Sequence, residues 1–232
     1  TVFDLTEIGE DISLYGSLVT DGDQSDFISV FSRTGTASSK LSSVLPSNTL
    51  SAATLPVVNV AEYISAYHLF LDARQSLQTR QTAIEALEKK TGISPVAYFA
   101  RLEPKEVATA SFIEGGKLER VNLIRVAKPD TLKNCASGAY PYKYMSFAST
   151  IFGNLYELPD ESSFTYLNGW LISGSQTGVK AFSEGKAGKY TLKEFMVNAG
   201  MDDLFAGESA SFMAYLSLTE DAAVLEAFAD KQ

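Results

Sequence analysis

The sequence predicts an α+β fold, with a mainly antiparallel sheet, helices packed on one face, and two similar hairpin–helix–strand–helix halves. Three observations carry this. Short β-prone segments are joined by two-residue Gly-containing turns, and such connections make antiparallel neighbours. Between them, apolar stripes of helical period follow polar capping residues. The segment "DISLYGSLVTDGDQSDFISVFS" also aligns with "SSFTYLNGWLISGSQTGVKAFSE", so that Ile12 falls on Phe164, Gly22 on Gly174, and Phe27 and Val30 on Val179 and Phe182. Repetition of order, turn chemistry and apolar positions reads as internal duplication.

Element by element, "TVFDLTEI" reads as a strand, and Ile12–Tyr15 as the first arm of a hairpin turning at Gly16-Ser17. Phe27 and Val30 mark a short helix. The run "SNTLSAATLPVV" is a strand, after which Asn59 caps a helix carrying Val60, Tyr63, Ile64, Tyr67, Phe70 and Leu71 on one face. A second helix has a thinner stripe, Leu77, Ile84 and Leu87, and ends at Gly92. "VAYFARLEP" is a short helix stopped by Pro104. "EVATASFI" and "LERVNLIRVA" flank "EGG" as a hairpin. Phe164–Leu167 and Trp170–Ser173 form the clearest hairpin, because Asn168-Gly169 tolerates positive φ at both turn positions. Ser175 or Thr177 caps the helix that follows, and residues 208–228 read as strand, Thr219 cap and helix. The chain is expected to be one unit, residues 1–232, with halves at 1–92 and 140–232 and a connecting hairpin region at 93–139.

Composition narrows function by exclusion. The net charge of −9 opposes binding to nucleic acid, whose phosphate backbone demands a basic footprint. Residues 1–32 hold seven acids and no base, whereas 86–133 hold nine bases against six acids. That asymmetry is read as solvated surface. No apolar run is long enough to span a membrane. The single cysteine, Cys135, can form neither an internal disulfide nor a cysteine-based zinc site.

The hairpin–turn–helix "FTYLNGWLISGSQTGVKAFSE", the "VLPSNT" before a strand, and "DISLYGSLVTDGDQSDFISVFS" resemble an uncharacterised family of bacterial cell-envelope, lipoprotein-like proteins. Leu45, Pro46, Asn48 and Thr49 match its LP-x-N-T run, and Ser173, Gly174 and Ser175 match its apolar-Gly-Ser turn. The resemblance implies an envelope location, periplasm or surface, with tethering by a segment outside this chain. It brings no catalytic residues.

The chemical inventory is thin. "TDGDQSD" suggests a calcium loop, but counting from Asp21 puts Asp26 where the loop needs Gly and Ser32 where it needs a bidentate acid. Turn chemistry explains the stretch better. His68 is the only histidine and sits at the edge of its helix's apolar stripe, which suits packing. The acid pairs Asp160-Glu161 and Asp202-Asp203 read as solvated turns. No metal and no cofactor are expected. Tyr140, Tyr142 and Tyr144 alternate along one strand face, where they form core if covered and a recognition platform if exposed. The expected function is therefore a non-enzymatic binding or scaffolding module whose partner is an envelope protein or a glycan. The alternative is a hydrolase working through carboxylates or His68.

Overall fold

The computed structural model describes residues 2–8, 11–17, 22–127, 146–152, 163–184, 190–198 and 209–216. The fold is α+β with a mostly antiparallel sheet, as predicted. Its centre is six strands in the order β10-β4-β5-β6-β8-β7: Met213–Leu216, Thr49–Pro56, Pro104–Glu114, Lys117–Val126, Trp170–Gly174 and Ser163–Leu167. All neighbours are antiparallel. The hairpin read as a connector between halves, β5–β6, thus lies at the middle of the sheet.

Local signals produce the expected local structures. Asn168 and Gly169 both have positive φ, which closes β7–β8 with Leu167 opposite Trp170. Gly115 and Gly116 do the same between Glu114 and Lys117. The Asn59 side chain accepts from the N–H groups of Ala61 and Glu62 and caps α2, Val60–Ala73. Helix α3, Leu77–Thr91, ends on Gly92 in the left-handed region. Pro95 opens α4, Pro95–Leu102, and Pro104 follows its left-handed cap Glu103 as the first residue of β5.

Two expectations are corrected. The sheet is covered on both faces. On one, α2, α4 and α5 (Ser146–Phe152) bury Tyr63, Phe99, Ile151 and Phe152 against Leu55, Val107, Ile124 and Leu171. On the other, a 3₁₀ turn (Leu41–Ser43), α6 (Gln176–Ser183) and α7 (Leu192–Asn198) bury Leu41, Phe182, Leu192 and Met196 against Ala108, Phe112, Leu123 and Ile172. The reason lies in the strands. Val107-Ala108, Leu123-Ile124 and Leu171-Ile172 are apolar at consecutive positions, so each pair presents apolar surface to both sides.

The second correction concerns the first hairpin. β1 (Val2–Ile8) and β2 (Asp11–Ser17) pair with Ile8 opposite Asp11 and Phe3 opposite Gly16. Gly16-Ser17 therefore lies within a strand, where an extended glycine is tolerated, and the chain reverses between Ile8 and Asp11. This hairpin forms its own two-stranded sheet, as do β3 (Ala37–Ser38) and β9 (Ser209–Ala210), whereas β7–β8 joins the central one through β6. Internal duplication is thus not shown by the topology.

Gly174 holds a tight place at the end of β8, paired with Val121 on one side and Ser163 on the other. A Cβ there would stand 2.6 Å from the Arg120 carbonyl oxygen, a backbone atom that cannot yield without moving β6. Gly174→Ala is expected to cost about 2 kcal/mol through this overpacking, read as a lower urea midpoint. An unchanged midpoint would show that β8 slides freely on β6.

Candidate functional site

Glu106 is fully enclosed, with an exposure of 0%. It follows a register irregularity at the start of β5, between Pro104 and Glu106, and faces the 3₁₀-turn side of the sheet. Four donors meet its carboxylate. The Ser39 hydroxyl and the Thr54 hydroxyl (2.8 Å) donate to Oε1, and the Lys40 backbone N–H (2.9 Å) and Arg125 Nε (3.2 Å) donate to Oε2. The Ser39 hydroxyl in turn accepts from the Leu41 N–H. A carboxylate has acceptor capacity for this set, so the buried charge is balanced by one partly exposed guanidinium and three neutral dipoles. The arrangement fastens the 39–41 segment onto the sheet. Beside Ser39 and Thr54 lies a recess of about 20 Å³, walled by Leu41, Leu45, Leu192 and Tyr215, which has room for little more than one water.

A second polar group lies across the sheet. Arg80, in the first turn of α3, is buried at 8% exposure. Its Nη2 donates to the Ile151 carbonyl at 2.9 Å, and its guanidinium lies over the Tyr67 ring at 4.4 Å. Among the described residues, Nε and Nη1 have no acceptor, and Nε2 of the half-buried His68 has no partner. Burial pushes the Tyr67 phenol above its ordinary range and, even more strongly, that of Tyr63. His68 is pushed the other way, by burial first and then by the Arg80 charge, which favours the neutral imidazole. Tyr63 donates to the Phe152 carbonyl at 3.5 Å, so Arg80 and Tyr63 together cap the last carbonyls of α5.

A third feature is aromatic. Phe27, just before α1 (Ile28–Phe31), packs on Phe31 at 5.1 Å and on Phe70 at 5.3 Å between ring centroids. Phe212, from the turn before β10, stacks on Phe31 at 5.3 Å and stays 39% exposed. Arg74 lies 5.8 Å from the Phe70 centroid and donates to the Ser25 carbonyl. Residues from three distant stretches therefore build one partly exposed aromatic surface. A broader, open groove between Glu114 and α6 holds charges of both signs, Glu114, Lys180 and Glu184, and has the character of solvated surface.

The anticipated sites fare differently. Tyr140, Tyr142 and Tyr144 lie outside the described residues, as do Cys135, Asp160, Glu161, Asp202 and Asp203. His68 is described, half-buried on α2 and within the field of the Arg80 charge. In the Asp-rich turn, Asp23 accepts from the Ser25 N–H at 2.8 Å and Gly22 has φ +86°. These are turn interactions, and among the described residues no group of three His, Cys, Asp or Glu side chains could hold a metal ion. No described helix is long and apolar enough to cross a membrane. Sequence reasoning missed Glu106 and Arg80. For Arg80 a signal existed: Leu77, Arg80, Ile84 and Leu87 are spaced three, four and three, which puts the arginine inside the apolar stripe.

No known family model matches the chain, and no curated protein or solved structure shows significant similarity to it.

Proposed function

We propose that the protein is a non-enzymatic binding or scaffolding module of the bacterial cell envelope, and that it engages a protein partner through the aromatic surface of Phe27, Phe31, Phe70 and Phe212. The exposed stack of Phe212 on Phe31 carries this reading. Apolar rings left at a surface, edged by an arginine, have the composition of an interface core and rim. The rings here carry no hydroxyls, which favours the side chains of another protein over a sugar. The envelope placement is supported by the LP-x-N-T and apolar-Gly-Ser resemblances. Glu106 fits the same view, since its acceptor capacity is taken up in fastening a loop.

The test is binding of labelled protein to isolated bacterial envelopes and to cytosol. Phe212→Ser is expected to weaken envelope binding about thirtyfold, the loss of about 2 kcal/mol that a central aromatic contact contributes, while the melting temperature stays near that of the wild type. Equal binding by both proteins, or no preference for envelopes, would overturn the reading.

A further inference from the structure

We propose that Arg80, with His68 on the neighbouring helix, is the binding site for a small oxyanion of the carboxylate or phosphate class. A guanidinium cannot shed its proton at any physiological pH, so burial cannot be relieved by neutralisation as it would be for lysine or histidine. Arg80 is more than nine-tenths buried. Its described surroundings are the Tyr67 ring, the Tyr63 hydroxyl side of α2 and the Ile151 carbonyl, none of which carries a negative charge at neutral pH. Burial lowers the arginine's proton affinity, and among the described groups the two tyrosines oppose it.

Carbonyl dipoles at the end of α5 offset part of this cost through Nη2. Nε and Nη1 remain, buried and without acceptors among the described residues. Buried N–H groups in folded proteins are almost always satisfied, and those on a charged group most of all. A water would accept these hydrogens but leave the charge uncompensated; an oxyanion does both. His68 adds the third nitrogen without a partner, Nε2, on the neighbouring helix, within reach of the Arg80 field. In the neutral imidazole one ring nitrogen donates and the other accepts, and an anion at this place favours the donor. The Tyr67 ring under the guanidinium fixes its plane, so the free N–H groups are held before the anion arrives.

Because His68 is the only histidine, its ring resonances can be followed by NMR in the full chain without ambiguity. Inorganic phosphate and acetate are each titrated against sodium chloride of matched ionic strength. Saturable shifts of the His68 signals with either anion, accompanied by a rise of about one unit in the histidine's pKa, are expected, since a neighbouring negative charge favours the imidazolium. Phosphate alone identifies the phosphate class and acetate alone the carboxylate class, and either supports the site. Arg80→Lys keeps a cation that can reach the Ile151 carbonyl but loses the planar donor set, and it should weaken the anion response about tenfold. The proposal is overturned if neither anion does more than chloride, or if Arg80→Lys binds as tightly as the wild type. The wild-type titration decides the question even if the variant fails to fold.

Discussion

Glu106→Ala is expected to destabilise the protein by about 4 kcal/mol, within the range for removing one partner of a buried charged network. For a chain of this size that is a drop in melting temperature of about 8–16 °C. The cause is what the substitution leaves behind. The Lys40 N–H and the Arg125 Nε–H cannot reverse their direction, so they lose their acceptor outright, and the vacated volume lies at a fully buried position. Glu106→Gln separates the contributions. The new amide can turn its NH₂ toward the Ser39 and Thr54 hydroxyls, which are able to accept, and keep its oxygen on Lys40 and Arg125. Its cost should be about half that of the alanine variant, near 2 kcal/mol, because mainly the charge is lost. Urea denaturation followed by circular dichroism measures both. An alanine variant within about 0.5 kcal/mol of wild type, the size of an ordinary surface change, would mean that Glu106 does not fasten the 39–41 segment.

How far the sequence reached follows from the range of each interaction. Asn168-Gly169, the Asn59 cap, Gly92 and Pro104 act over one to four residues, so the residues that specify each feature stand together in the chain. All four were legible. The face on which the helices pack was not, although the consecutive apolar pairs Val107-Ala108 and Leu171-Ile172 already implied burial from two sides. Gly16-Ser17 misled because a Gly-first pair is compatible both with a turn and with an extended strand; only the pairing of Leu5 with Leu14 decides. Glu106 was hidden for a different reason. In "PKEVATA" it looks like a solvated acid beside a lysine, and its partners Ser39, Thr54 and Arg125 lie 67, 52 and 19 positions away. Arg80 has the same character, since the carbonyl it caps is 71 residues on. The candidate sites therefore rest on tertiary partners, and one sequence by itself does not reveal which distant residues meet.

Phe152→Ala is expected to cost about 4 kcal/mol, the usual scale for deleting a fully buried phenyl ring. Phe152 has 0% exposure, and its ring lies 5.3 Å from Tyr63 and 5.4 Å edge-on from Phe99. Those contacts belong to α2 and α4, so one side chain at the end of α5 ties three helices together over the Leu55, Val107 and Ile124 face of the sheet. The residue's carbonyl receives the Tyr63 hydroxyl and the preceding carbonyl receives Arg80, so a retreat of α5 into the cavity also lengthens both capping bonds. Phe152→Leu fills much of the same volume and should cost less than half as much. The edge-to-face pair with Phe99 gives a sharper test. In a double-mutant cycle of Phe152→Leu and Phe99→Leu, the two costs should fall short of additivity by about 1 kcal/mol, the coupling that an aromatic pair adds beyond its buried area. Costs that add within about 0.3 kcal/mol would show that α4 and α5 are held independently by the sheet, and that the ring contact between them contributes nothing of its own.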